Sequence, residues 1–118
     1  MRFITALLAF IPFALTPLPS LAAQHQTCTS YKAALEHLKE QAPVTASIKL
    51  TKAQSALVVA DYNRETGQGV EADQLYVVKV KSADGEERVG VAFTKDGCMI
   101  GISVVNPSHL AELLGRAA

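Results

Sequence analysis

The sequence has no excess of charge of either sign and no cluster of basic residues. Its 11 Lys and Arg residues are balanced by 11 Asp and Glu residues. Proteins that bind nucleic acids or anionic lipids electrostatically present a basic patch. The composition therefore predicts no nucleic-acid partner and no attraction to an acidic lipid surface. The chain also has no internal repeat and no low-complexity tract.

Motifs that carry metals, cofactors or activated nucleophiles are missing as well. The two cysteines are 70 positions apart, so they form neither a C-x-x-C redox motif nor the closely spaced pair of a structural zinc site. No serine lies in a glycine-flanked nucleophile elbow. The loop containing Gly67 and Gly69 lacks the Lys-Ser/Thr pair of a phosphate-binding loop. We predict no catalytic residue, no metal site and no cofactor.

Two histidine–carboxylate pairs leave an enzymatic alternative open. His37 precedes Glu40 by three residues in one predicted helix. His109 precedes Glu112 by the same spacing in another. A metal site would need both pairs to converge, whereas a small hydrolase would use one histidine with a nearby carboxylate. The simpler interpretation is ordinary surface contacts between side chains one helical turn apart.

Long apolar runs are confined to the start of the chain. Arg2 precedes an almost wholly apolar stretch over residues 3–18, followed by small residues that end at Ala22. This order of features is typical of a secretory signal peptide. The stretch is shorter than the about 20 residues that a membrane-spanning helix needs. Residues 1–22 are therefore predicted to be a signal peptide, cleaved after Ala22 or Ala23.

Cleavage would leave about 95 residues, enough for one domain. Without Arg2, ten basic residues face eleven acidic ones, a formal balance of −1. Polar residues at 24–27 precede Cys28, so a lipid-attached cysteine is not expected. We predict a polar mature terminus over residues 23–29 and one domain over residues 30–118. The mature protein is predicted in the periplasm or secreted, without a stable membrane anchor.

The cysteine pair is the strongest local prediction. Cys28 and Cys98 both lie in the part predicted to be exported, where an oxidising environment favours a disulfide. The bridge would close a loop of about 70 residues and restrict the unfolded chain by roughly 4–5 kcal/mol. Two buried thiols or an intermolecular bridge are the alternatives.

Helices are predicted from apolar spacing and from residues that begin and end them. Pro43 ends the first helix. Thr51 and Gln54 form a capping box at the start of the second. Asn106 and Pro107 supply the N-cap and first position of the third. The predicted helices cover residues 30–41, 52–64 and 108–114.

Three β-rich runs follow the second helix, over residues 75–81, 88–94 and 98–105. The Asp84-Gly85 and Asp96-Gly97 pairs between them predict type I′ hairpin turns. Residues 44–50 alternate between apolar and polar, which fits an edge strand or an extended connector. We predict an α+β, two-layer domain. A three-stranded antiparallel meander, with or without a fourth short edge strand, is covered on one face by two to three helices.

The alternation of side chains predicts which face of the meander is covered. The covered face is expected to carry Tyr76, Val78, Val80, Val89, Val91, Phe93, Cys98, Ile100, Ile102 and Val104. The other face is expected to be flat and solvated, and it is the candidate partner surface. The candidate surface comprises Lys79, Arg88, Gly90, Ala92, Gly101 and Ser103.

These features favour a small exported, non-catalytic binding or adaptor module whose partner is an envelope or secreted protein. One alternative is an inhibitor of an envelope or foreign enzyme, with the polar loop at residues 65–73 as the inserting element. The other alternative is a small exported hydrolase that uses His37 or His109. The sequence identifies no particular partner.

Overall fold

The computed structural model describes residues 28–117; the predicted signal peptide and residues 23–27 lie outside the described part. Its four strands form one antiparallel sheet in the order β1-β2-β3-β4, so that strands adjacent in the chain are adjacent in the sheet. This arrangement confirms the α+β class, and residues 44–49 are a strand. The elements are α1 (Tyr31–Gln41), β1 (Val44–Lys49), α2 (Lys52–Thr66), β2 (Gln74–Lys81), β3 (Glu87–Lys95), β4 (Cys98–Val105) and α3 (Pro107–Arg116).

Each helix begins where a polar side chain caps it. The Ser30 hydroxyl accepts a hydrogen bond from the Ala33 N–H at the start of α1. Thr51 and Gln54 form the predicted capping box at the start of α2. The Asn106 side chain accepts from two N–H groups at the start of α3. Helix starts are therefore encoded locally, because a cap satisfies donors that have no partner within the helix.

The two Asp-Gly turns differ. Asp96 and Gly97 both have positive φ, at 52° and 82°, as a type I′ turn requires. At the other turn only Gly85 has positive φ, so the type I′ prediction there is wrong. The Asp84 carboxylate accepts from the Ser82 hydroxyl, and the Gly85 N–H donates to the Ser82 carbonyl at 2.9 Å. These bonds close a longer loop than a two-residue turn.

The core lies between one face of the sheet and helices α2 and α3. Phe93 and Leu75 are both completely buried there, and the Tyr62 ring lies 5.0 Å from that of Phe93. Burying each large apolar side chain contributes about 1.5–3 kcal/mol, so this layer dominates the stability of the domain. The core comprises Leu50, Val58, Tyr62, Leu75, Val77, Val89, Val91, Phe93, Leu110 and Leu113.

The strand register corrects the predicted faces of the sheet. Val77 pairs with Val91, and Val91 pairs with Ser103. Paired residues in antiparallel strands project from the same face. The core face therefore carries Leu75 and Val77 of β2, and the prediction of Tyr76, Val78 and Val80 on it is wrong. Both faces of β2 are apolar because helices lie on both sides of the sheet.

A β-bulge explains the error in β4. Phe93 pairs with Gly101, but Thr94 pairs with Met99, which leaves Ile100 as the extra residue. An extra residue breaks the alternation of side chains between faces. Ile100 packs against the core, while Ile102 lies on the other face with Ala92. The prediction that Ile100 and Ile102 share a face is wrong for this reason.

Candidate binding groove

The six residues of the predicted partner surface do not form one surface. By strand register, Arg88, Gly90 and Ala92 lie on the face that α1 contacts, and Lys79, Gly101 and Ser103 lie on the core face. Ala92 and Ser103 are completely buried, and Gly101 is buried as well. The prediction of a flat solvated face built from these residues is therefore wrong.

Helix α1 lies against the face opposite α2 and α3. The Tyr31 ring stacks on the Tyr76 ring of β2, with centroids 3.8 Å apart and planes 4° from parallel. The Tyr31 hydroxyl lies 2.6 Å from the Ser47 hydroxyl of β1. Burial raises the pKa of Tyr31 above its ordinary value, while the hydrogen bond to Ser47 acts in the opposite direction. This tyrosine therefore holds the amino-terminal half of α1 onto the sheet.

Backbone hydrogen bonds attach both ends of α1. At the amino end the Met99 N–H donates to the Thr29 carbonyl at 2.7 Å. At the carboxyl end the Lys81 N–H donates to the Pro43 carbonyl at 3.0 Å. No residue of α1 is buried between these two attachments. The helix is thus fixed at its ends and packs loosely along its length.

A groove of about 330 Å³ lies beneath α1. We call it the α1 groove. Its floor is formed by Val78 and Ala92, which are 2 % and 0 % exposed. The half-buried side chains of Leu35, Leu38 and Ile102 form its more open walls. Ligand pockets in proteins have volumes of about 300–1,000 Å³ and mostly apolar linings, so the α1 groove falls at the small end of this class.

The α1 groove has few polar side chains in its lining. Thr29 and Tyr31 lie at the amino end, and His37 and Gln41 lie in the carboxyl-terminal half of α1. Gln41 Nε2 is 3.1 Å from His37 Nε2. No Asp, Glu, Lys or Arg belongs to the described lining. The groove can therefore accept an apolar body, with a small polar group near either end.

The disulfide lies at the amino end of the α1 groove. Cys28 and Cys98 are bonded, with their Cα atoms 5.1 Å apart. Cys28 comes three residues before the start of α1, and Cys98 is the first residue of β4. The predicted bridge is confirmed, and it fixes the start of α1 to the edge strand that carries Met99 and Ile102.

A second apolar groove of about 220 Å³ lies on the core face, between β1 and α3. Ile48, which is 45 % exposed, lies on one side of it, and Ala111 and Leu114 of α3 lie on the other. Lys79 and Glu87 also line this groove. The smaller volume and the charged side chains make it a less suitable site for an apolar ligand than the α1 groove.

The structure joins His109 to a buried carboxylate rather than to Glu112. His109 Nε2 lies 2.8 Å from the Asp61 carboxylate, whose side chain is 4 % exposed. Asp61 also forms an ion pair with Arg64. The arrangement connects α2 to α3, and it pairs an imidazole with a buried carboxylate as a catalytic triad does.

The remaining predicted elements are placed as follows. His37 is 71 % exposed in its side chain and lies 3.8 Å from Glu40. The loop at residues 65–73 is held by Asn63, whose side chain bonds both the N–H and the carbonyl of Val70, at 2.7 and 2.9 Å. Val70 also packs against the core. The loop is therefore attached to the domain along part of its length, unlike a freely protruding inhibitory loop.

The sequence does not predict the groove residues, because the predicted sheet is covered on only one face. One feature of the sequence does indicate that the second face of the sheet is covered. In β2 the residues Leu75, Tyr76, Val77 and Val78 are consecutively apolar, and such runs are typical of strands buried on both faces. That pattern predicts a second covering layer, although it does not identify α1 as the helix that forms it.

Comparison of the chain with protein-family models, with curated proteins and with solved structures found no match. Among residues 28–117 no helix has both the length and the apolar character to cross a membrane. The same residues contain no group of three or more His, Cys, Asp or Glu side chains suited to a metal ion. The functional interpretation therefore depends on the geometry of the α1 groove.

Proposed function

We propose that the protein is a small exported, non-catalytic binding module whose binding site is the α1 groove. The observation that carries this proposal is an apolar groove of about 330 Å³ beneath a helix fixed at both ends. Close packing is the rule between a helix and a sheet, so a space of this size requires a reason. Occupation by an apolar group supplies one, because it removes the half-buried walls of the groove from water.

Two further observations support export. The Cys28–Cys98 disulfide is the kind of bond that persists in oxidising compartments. The signal peptide predicted over residues 1–22 also indicates export. We place the mature protein in the periplasm or outside the cell, with an envelope or secreted component as its partner.

Fluorescence of the neutral apolar dye N-phenyl-1-naphthylamine tests the site. We expect the mature protein to enhance the dye's emission, and Ala34→Phe to abolish the effect by filling the α1 groove. Ala111→Phe is the matched control, since it places the same side chain in the second groove from another helix. Loss of dye binding in Ala111→Phe but not in Ala34→Phe would move the site to the second groove. No enhancement with the wild-type protein would refute the proposal.

A hydrolase built on His109 is the second candidate function. It is favoured by the buried Asp61 carboxylate, which orients the imidazole as the acid of a catalytic triad does. A panel of ester and amide substrates, assayed with the wild type and His109→Ala, tests it. Turnover that disappears in His109→Ala would support this candidate, and equal rates in both proteins would remove it.

A further inference from the structure

We propose that the outer side of β1 binds an extended, acidic peptide segment of a partner protein, which pairs with β1 as an added strand. The site comprises residues 46–49, and we call it the β1 edge. None of these residues lines the α1 groove, so the site is separate from that of the proposed function. Three properties of the β1 edge carry the proposal: unpaired backbone groups, an exposed apolar side chain beside a groove, and lysines without acidic partners.

The backbone of the β1 edge has hydrogen-bonding groups that no described strand uses. β1 is the first strand of the sheet, so within residues 28–117 only β2 pairs with it. The Leu50 N–H donates to the Leu75 carbonyl of β2 at 3.1 Å. Because the direction of the backbone groups alternates along an antiparallel strand, those of Ser47 and Lys49 point away from β2. An extended peptide can therefore pair with them and lengthen the sheet.

The opposite edge of the sheet is less suited to such pairing. β4 begins at the disulfide, and its Met99 N–H already donates to the Thr29 carbonyl. The bulge at Ile100 also interrupts the regular spacing of β4. In β1 the irregularity comes before Ala46, so residues 46–49 pair regularly with β2. The β1 edge is therefore the more regular template for an added strand.

The second groove favours an apolar side chain in the peptide. Ile48 pairs with Val77, so its side chain lies on the core face. It is 45 % exposed and lines the second groove together with Ala111 and Leu114 of α3. A peptide residue opposite Ile48 projects from the same face. An apolar side chain at that position covers Ile48 and removes it from water.

Two lysines favour acidic residues on both sides of that apolar position. Lys49 is exposed and pairs with Tyr76, so it lies on the face that α1 contacts. Lys79 is half-buried, lines the second groove and pairs with Ala46. Neither lysine forms an ion pair with another residue of the described chain, whereas Lys39, Arg64, Arg88 and Arg116 all do.

The acids near the β1 edge do not balance these lysines. Glu87 also lines the second groove. It lies opposite a third lysine, Lys81, and its carboxylate accepts a hydrogen bond from the Thr45 hydroxyl at 3.1 Å. Three lysines thus face one glutamate. A peptide carboxylate opposite Lys49, and another opposite the small Ala46 side chain within reach of Lys79, supply the missing negative charge.

These positions define the order of residues in the peptide. Antiparallel pairing is slightly more stable than parallel pairing. An antiparallel peptide that runs opposite residues 49 to 46 carries an acidic residue, an apolar residue, any residue and a second acidic residue. A second copy of β1 does not meet this requirement, because Val44–Lys49 contains no acidic residue. Pairing two such edges would also bring a second Lys49 to the same seam.

Nuclear magnetic resonance titration of the isotope-labelled mature protein tests the proposal, with a short peptide that has Glu-Val-Thr-Glu at its centre. We expect the largest amide shifts at Ser47 and Lys49. Methylation of the peptide Thr nitrogen should abolish binding, because that N–H faces the Ser47 carbonyl. Methylation of the Val nitrogen is the matched control and should leave binding intact, because that N–H points away from β1.

Charge reversal tests the acidic requirement. Lys49→Glu should weaken binding about fivefold, since it replaces a surface attraction by a repulsion. A peptide with Lys in place of its first Glu should bind this variant better than it binds the wild type. Lys95→Glu is the matched control, because it makes the same change at the far end of β3. It should leave the affinity unchanged.

Each contrary outcome overturns the proposal without affecting the dye test of the α1 groove. Shifts that map to β4 or to the α1 groove, or no shifts at millimolar peptide, would show that the β1 edge is not the site. Equal binding of the two methylated peptides would exclude strand pairing. Equal affinity of the wild type and Lys49→Glu would exclude the charge match. A dimer in sedimentation that Ile48→Asp dissociates would assign the edge to a second copy of the chain.

Discussion

Removal of the Cys28–Cys98 disulfide by Cys28→Ala and Cys98→Ala together is expected to cost about 4.4 kcal/mol of folding free energy. The bridge joins residues 70 positions apart. Loop-closure entropy for a loop of this length, about 14.8 cal/mol/K, gives this value at 25 °C. The loop contains α1, β1, α2, β2 and β3, so cutting it frees most of the described chain when it unfolds. Whole domains are stable by only about 5–15 kcal/mol, so the variant should be close to the limit of folding.

Guanidinium unfolding monitored by far-UV circular dichroism measures the change. The wild type in reductant should match the double variant, because both lack the same constraint. A decrease under about 1 kcal/mol in both proteins would refute the loop-entropy reasoning for this chain. A decrease in the double variant alone would assign the loss to the alanine substitutions. The slope of unfolding free energy with denaturant should also rise, since the unfolded chain becomes more expanded.

Three further substitutions test other parts of the structure. Ser55→Ala should cost about 1–3 kcal/mol in chemical unfolding, because it leaves the buried Leu75 N–H without the Ser55 hydroxyl at 3.1 Å; an unchanged midpoint would contradict this. Asp61→Ala should lower the melting temperature by releasing His109, whereas an equal melting temperature would show that the pair contributes nothing. Because burial raises the pKa of Tyr31, the folded state binds that proton more tightly than the unfolded state. The corresponding stability is complete below pH 10 and is lost as the pH rises through the raised pKa. Tyr31→Phe should flatten the alkaline unfolding profile, and a profile as steep as that of the wild type would argue against this assignment.

The sequence predicts local features of the structure well where they depend on interactions between residues close together in the chain. Ser30, Thr51 and Asn106 begin their helices because each cap involves residues within three positions. The Asp96-Gly97 turn follows from the φ values its residues tolerate. At Asp84-Gly85 the same dipeptide forms a longer loop, in which the Ser82 hydroxyl donates a hydrogen bond to the Asp84 carboxylate.

The sequence does not predict the candidate site, because the site depends on which faces of the sheet the helices cover and, in β4, on register. A shift of one residue moves every side chain of a strand to the opposite face, and the bulge at Ile100 produces such a shift within β4. Ser103, which looks like a surface residue by composition, is therefore completely buried. Ala92 lies on the face predicted for it, but α1 covers that face, and Ala92 forms part of the floor of the α1 groove.

The sequence by itself determined the helix starts, the three strands of the antiparallel meander and the pairing of Cys28 with Cys98. These follow from cap chemistry, alternation, short connections and the presence of only two cysteines. Only the tertiary structure decided that α1 crosses the second face of the sheet and leaves a groove beneath it. That choice depends on contacts between distant residues, such as Tyr31 on Tyr76, and no local pattern records which of two apolar faces a helix will cover. The site of the proposed function therefore lies where long-range packing, rather than local propensity, sets the geometry.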